Sequence, residues 1–559
     1  LSATGTATLT GVVSGVADLV SDSGGTTVLP SSVTTTGSQV FSDAAVVLAS
    51  DVTLTSTGTG SAGNITLNSP VDGAHNLRLI SGGTAVLAAA IGSTTPLVSF
   101  TSDNNASTQT VIGGGGVTTT GTQVYADNLS LASDTVFTAS TISFPATPAN
   151  SNARGNNVTL DLSSSVDLGS DFFDGTVGAL SVSAPGGITV SGTLAVGGSQ
   201  TFSHALTLGA DVTLSGADLT LAAVNGGGHN LTLAQRGVGF LGGVVSNVAA
   251  LQTGGSGLTI LGADLSVSSL NVQNPVLLSS DRILTTSGAM NLNAVIGNGK
   301  NLTLNGSGGI TLAGRLQGLA TVDVTGATTL TGGDGGGSLS TISSSGTQTF
   351  HSALTLGGSA LLEGVGITLG TVTGGGYNLK VRDTGVTTFG GAVSGVADLA
   401  TDAGGTSVIG GTIASTGAQI YSDSLQLNAN SVLTGSSLTL GTVTGGGFDL
   451  TLVGSGTGTS TLGSGVSNVG SLAVTAGSGG IVLGGGTVAT TATQIYNSPV
   501  RLSADTVLTG TTITTAGSAT VDGTGDGSES LGVTGNAVFG AAVGKTAGKA
   551  LEFLSVSGT

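Results

Sequence analysis

Apolar and polar residues alternate in short runs along almost the whole chain, as in Asn378-Leu-Lys-Val381, and Gly, Ser or Thr interrupts each run within a few residues. Alternation at period two sends successive side chains to opposite faces of a strand. Each run therefore predicts a short, half-buried strand, and the glycines between runs supply the positive φ that sharp corners need. Helix signals are nearly absent: no long stretch keeps a 3.6-residue period, and the chain has three glutamates.

The runs are organised by a longer beat. The phrase TGSQVFSDAAVVLASD at 36–51 returns as TGTQVYADNLSLASD at 120–134, and its glutamine recurs as Gln39, Gln123, Gln200, Gln273, Gln348, Gln419 and Gln494, at intervals of 71 to 84 residues. Self-similarity of this kind marks a repeat architecture. Two residues after the glutamine stand Phe41, Tyr125, Phe202, Phe350, Tyr421 and Tyr496, with Pro275 in the remaining copy. About eleven residues after it come Asp51, Asp134, Asp211, Asn430 and Asp505, with Ser359 and a slightly early Asp281 in the other two copies. These short polar side chains are expected to hydrogen-bond their own backbone in turns. A Gly-rich turn leading into Asn-Leu is a further landmark, as in GGGHNLTL at 226–233 and GGGYNLKV at 374–381.

A repeat of about 75 residues is long for one coil of a solenoid. The copy from Ser345 divides at its glycine turns into pieces of roughly 15 to 22 residues, each with two or three strand-like runs. The expected architecture is all-β: a single parallel β-helix over 1–559, about 29 coils grouped in about seven repeats, beginning and ending mid-repeat. At about 4.8 Å per stacked strand, equal positions in successive repeats are expected to lie four coils and roughly 19 Å apart. Val, Leu, Ile and Ala face inward and Thr, Ser, Asn and Asp outward.

Composition sharpens this picture. With 100 glycines, 7% charged and 3% aromatic residues the chain is unlike an ordinary enzyme, yet 38% hydrophobic residues give it a core to bury. It has no cysteine, so packing and backbone hydrogen bonds hold it together. A formal charge of −18 with 11 Lys and Arg argues against nucleic acid or an anionic membrane as partner. The apolar run Ala85–Ile91 is far too short to span a bilayer.

Candidate chemistry is sparse. A carbohydrate-active site needs paired carboxylates or a metal, with aromatic platforms for sugar, and aspartates kept in register one per repeat stand too far apart to pair. The histidines hold no common register, so no metal site is expected from them. Asp334 in GGDGGGSLS, and Asp522 and Asp526 in DGTGDGSES, are weak calcium candidates that match no EF-hand spacing. The Gln and aromatic markers read as structural: an aromatic packed inward or at a corner, with a side-chain amide closing a turn. No catalytic or cofactor-binding residue is expected.

The phrases GTQxY/FxDxxxLxxDTxLT, GGGxNLTL and TTFGGAVSGVADLxTDAGGT resemble, over essentially all 559 residues, the repeat regions of large bacterial adhesins of the filamentous haemagglutinin type, exported by two-partner secretion. The resemblance implies a right-handed β-helical shaft, a secreted or cell-surface location, and a role in attachment or biofilm. The expected function is a non-catalytic stalk segment joined to flanking repeats of a longer chain. Two alternatives stand beside it: a filament subunit joined to itself head to tail, and a β-helix that binds or acts on surface carbohydrate.

Overall fold

The computed structural model describes residues 1–102, 108–144, 151–169, 176–331 and 340–558. It is 56% strand and 1% helical, a β-solenoid of about 26 stacked turns. The chain divides into two compact units, Leu1–Asn274 and Pro275–Thr559.

In the first unit each turn contributes three strands to three parallel sheets. One face stacks Thr6–Thr8, Thr26–Leu29, Ala45–Leu48 and Val71–Asp72. The second runs from Val13–Val16 through Ser32–Thr35 and Val52–Ser56 to Thr141–Ser143, and the third from Leu19–Ser21 through Gln39–Phe41 to Asn128–Leu131. The second unit repeats the plan. Its first face includes Leu379–Asp383, Leu399–Thr401 and Ala418–Tyr421, its second Gln348–Phe350, Ile367–Leu369 and Val386–Phe389, and its third Leu450–Gly454, Leu472–Thr475 and Thr493–Tyr496. Every registered pair is parallel, and like stacks on like in the core: Leu379, Leu399, Gln419 and Leu438 form one inward column.

The turns number fewer than the sequence division implies because their length is not constant. Along one column, Leu19, Gln39, Ile65 and Ala85 are separated by 20, 26 and 20 residues. The long turn holds an extra corner, a 3-10 turn at Gly60–Gly63. Corners face water and absorb insertions, whereas the strands between them must keep register with the turns on either side.

The repeat also fails to fill a whole number of turns. Counting strands, the one holding Gln419 is the eleventh after the one holding Gln348, and the one holding Gln494 is the eleventh after that. At three strands per turn, a repeat is three and two-thirds turns. Gln348, Gln419 and Gln494 consequently lie on the second, first and third faces. In the first unit Gln39, Gln123 and Gln200 fall on the third, second and first. Equal positions in successive repeats are thus about 18 Å apart along the stack and a third of a turn around it, not four coils apart on one face.

The outward positions are less polar than expected. Ile420, Val432, Ile495 and Val507 point out from the strands, since a β-branched side chain suits a pleated surface on either side of the sheet.

Candidate functional site

The repeat markers come first, because they are the most regular polar groups in the chain. Gln39, Gln123, Gln200, Gln348, Gln419 and Gln494 all occupy inward positions and are fully buried. Each sits where its column otherwise holds an apolar residue, as Gln494 does between Leu472 and Ile513 and Gln123 between Phe100 and Ile142. A buried amide must find partners, and all six find the same ones. Nε2 donates to the carbonyl six residues back, at the corner just passed: Val33 (3.3 Å), Val117 (2.9 Å), Leu194 (2.9 Å), Ile342 (3.1 Å), Ile413 (3.1 Å) and Val488 (2.8 Å). It also donates to the same corner one turn on, at the carbonyls of Thr55, Thr138, Ser215, Glu363, Thr434 and Thr509, between 2.6 and 2.9 Å. The glutamine is a clamp across two turns, holding the strand just before it and the same strand one turn on.

The aromatic two residues later points inward beside it, and its identity decides the other half of the amide. Where it is tyrosine, the hydroxyl donates to the glutamine Oε1 at 2.9 Å, in Tyr125–Gln123, Tyr421–Gln419 and Tyr496–Gln494. Burial pushes all three phenols well above their ordinary range, so they remain donors. Where it is Phe41, Phe202 or Phe350, the Oε1 of Gln39, Gln200 and Gln348 is buried with no hydrogen-bond partner.

Gln273 departs from the pattern. Its side chain is exposed, while Asn274 is buried between strands, donating to the Gly257 carbonyl at 3.0 Å and accepting from Thr253 Oγ1 at 2.6 Å, much as Asp43 accepts from Ser21 and Thr27 of the turn before it. This is the copy whose aromatic slot holds proline.

A second polar slot lies four residues after the glutamine. There Asp43 accepts from Ser23 N (3.2 Å), Asp423 from Gly405 N (3.0 Å), His204 from Ala184 N (3.2 Å), Ser352 from Gly326 N (3.3 Å) and Ser498 from Ala476 N (3.0 Å). Each ties its turn to the one before. The signal was the third letter of Phe/Tyr-x-Asp, and its variation among Asp, His and Ser hides a single role as acceptor.

The periodic aspartates also bond between turns, not within their own. The carboxylates of Asp51, Asp134, Asp211 and Asp281 accept both the backbone N–H and the side-chain amide of Asn76, Asn157, Asn230 and Asn301, at 2.8 to 3.0 Å. The aspartate slot and the Asn-Leu landmark are therefore two ends of one contact. Stacked turns bring identical corners within bonding distance, so the nearest free donor lies one turn away. The Asn backbone amide, chiefly, holds the Asp51, Asp211 and Asp281 carboxyls below their ordinary range. A depressed folded pKa gives stability that is present above the unfolded value of about 3.9 and lost as pH falls through the folded one. Acidification from pH 5 to pH 2 is expected to lower the melting temperature, and the triple variant Asp51→Asn, Asp211→Asn, Asp281→Asn to flatten that acid limb. A thermal melt series against pH checks this.

The GGG corners are shaped by the turn above. Gly375 and Gly376 have φ of 57° and 83°, and Gly376 N donates at 2.7 Å to the carbonyl of Gly395, itself at φ 67°. The same pairing joins Gly228 to Asn247 and Gly447 to Asn468. The residue that follows the glycines points outward, so Tyr377 and Phe448 are 41% and 36% exposed.

The calcium candidates do not converge. Asp522 accepts from Thr520 Oγ1 (3.1 Å) and Thr546 Oγ1 (2.7 Å), while Asp526 accepts from Ser528 N and Oγ (3.1 and 2.6 Å). Asp334 lies outside the described residues. Among the described residues no three His, Cys, Asp or Glu side chains stand close enough to hold a metal ion together. Acidic groups do meet on successive turns at Asp383, Asp402 and Asp423. Asp383 is fully occupied, accepting from Gly366 N, Gly385 N, Ile367 N and Thr387 Oγ1, and Asp402 accepts from Asp383 N. Burial raises the Asp423 carboxyl, and the Asp402 charge adds to that. Asp383 and Asp423 are structural acceptors facing the interior, with Asp402 half-buried beside them. No known protein family, curated protein or solved structure matches this chain.

An open recess lined by Thr59, Ser61, Asn64, Gly82, Gly83 and Thr84 carries neither an aromatic nor a carboxylate. The polar groups that recur with the repeat are engaged in joining turn to turn, and what they do chemically is hold the stack together.

Proposed function

We propose that this chain is a non-catalytic stalk segment of a secreted or cell-surface fibrous adhesin of bacterial type. The observation that carries the reading is the use made of the repeat. Gln, Asp and Asn markers bond one turn to the next, the tyrosines complete the glutamine amide within its own strand, and the three-and-two-thirds-turn period rotates each outward position around three faces. Repetition of this kind extends a stiff scaffold; it does not build one ligand-binding face. A net charge of −18 keeps neighbouring shafts apart in solution, and the lack of cysteine leaves the fold indifferent to redox conditions.

The reading is tested on intact source cells with a protease added from outside. Fragments of this chain are expected in the medium while cytoplasmic markers stay within the cells. Recovery of the chain only after lysis, fully protected beforehand, would overturn a cell-surface role.

A further inference from the structure

We infer that the alternation of tyrosine and phenylalanine beside the buried glutamine sets where the solenoid opens first. Six corners share one clamp geometry and differ in one atom. At Gln123, Gln419 and Gln494 the tyrosine hydroxyl completes the amide. At Gln39, Gln200 and Gln348 the phenylalanine leaves a buried carbonyl oxygen without a donor. The correspondence holds in all six clamps. A buried acceptor left unpaired forfeits the hydrogen bonds it makes to water once the corner opens, so opening recovers something at the phenylalanine corners that it does not recover at the others. In a stack where each turn touches only its neighbours, stability is close to a sum of local terms, and local deficits stay local.

The phenylalanine corners are therefore the joints that yield first under heat, denaturant or tension, while the tyrosine corners stay closed. Within the first unit the weak joints at Gln39 and Gln200 lie on different faces, so those two do not line up along one side. This gives the shaft discrete places to open and recover without losing the whole stack. The inference concerns the fold itself and stands whether or not the stalk reading holds.

Hydrogen–deuterium exchange on the intact chain tests it. Amides in Gln39–Phe41, Gln200–Phe202 and Gln348–Phe350 are expected to exchange roughly tenfold faster than those in Thr122–Tyr125, Ala418–Tyr421 and Thr493–Tyr496. Phe350→Tyr is expected to slow exchange at its own corner by a similar factor, and Tyr421→Phe to speed it at Gln419, each leaving distant corners unchanged. Phe41→Tyr and Phe202→Tyr provide independent copies should one site refuse the hydroxyl. Equal protection at all six corners would mean that water supplies the missing donor, and would overturn the inference. Unequal protection that no Phe–Tyr exchange shifts would overturn it too, by placing the cause elsewhere.

Discussion

Gly374→Ala is expected to destabilise the turns around the GGG corner by about 3 kcal/mol or more, as overpacking against backbone does. A Cβ at Gly374 would overlap the Cα and N of Val396 in the next turn, and at Gly226 it would stand 2.5 Å from the Cα of Val248. The obstacle is main chain held by its own ladder, as in Gly374 N to Ser394 O at 2.7 Å, so no rotamer change relieves it. Gly411→Ala is the control. Nothing lies within 4 Å of its Cβ position, and its φ is not in the left-handed region. There alanine is expected to be neutral or slightly stabilising, because it restricts the unfolded chain. Thermal unfolding of the two variants beside the parent checks the contrast, and equal melting temperatures would refute the packing argument.

Gln419→Leu should be nearly as damaging despite conserving volume. It leaves the carbonyls of Ile413 and Thr434 without the amide and strands the Tyr421 hydroxyl, three polar groups in a dry interior. At about 1–3 kcal/mol for each buried group left unpaired, a loss of roughly 3 kcal/mol or more follows. Gln348→Leu is expected to cost less, since Phe350 has no hydroxyl to strand and the unpaired Gln348 Oε1 disappears with the substitution. Pairing each change with the aromatic exchange gives a double-mutant cycle. Coupling between Gln419→Leu and Tyr421→Phe, with none between Gln348→Leu and Phe350→Ala beyond packing, would establish the hydroxyl-to-amide bond as the difference. Denaturant melts followed by exchange at each corner provide the measurement.

The rotation of the repeat bears on any attempt to engineer this chain. Removing one whole repeat removes eleven strands, so neighbouring turns still meet strand on strand, but everything beyond the cut is turned by a third about the stack. Removing three repeats restores the original facing. A ligand grafted once per repeat would be displayed on three faces in succession, which suits multivalent capture from all sides better than binding to a flat surface.

The class of fold is legible in the amino-acid order alone. Period-two alternation in short runs, glycine at the breaks and a recurring glutamine phrase are consequences of stacking similar turns, and each can be read without coordinates because it is local to a few residues. The glutamine phrase is legible as a repeat, and in six of its seven copies the glutamine and its aromatic are buried. Which residues become neighbours one turn away is legible only in the folded stack. The partner of Asp211 is Asn230, nineteen residues on, and the partner of Asp51 is Asn76, twenty-five on; variable corners make that interval unpredictable, so both looked like separate turn signals. The orphaned oxygens beside Phe41, Phe202 and Phe350 become visible only once the fold shows these glutamines buried, with each Nε2 bonded to carbonyls of two turns. The fractional repeat has a simple physical origin. Hydrogen bonding fixes three strands per turn while the sequence repeats every eleven strands, and because eleven is not a multiple of three, identical residues come to face different ways.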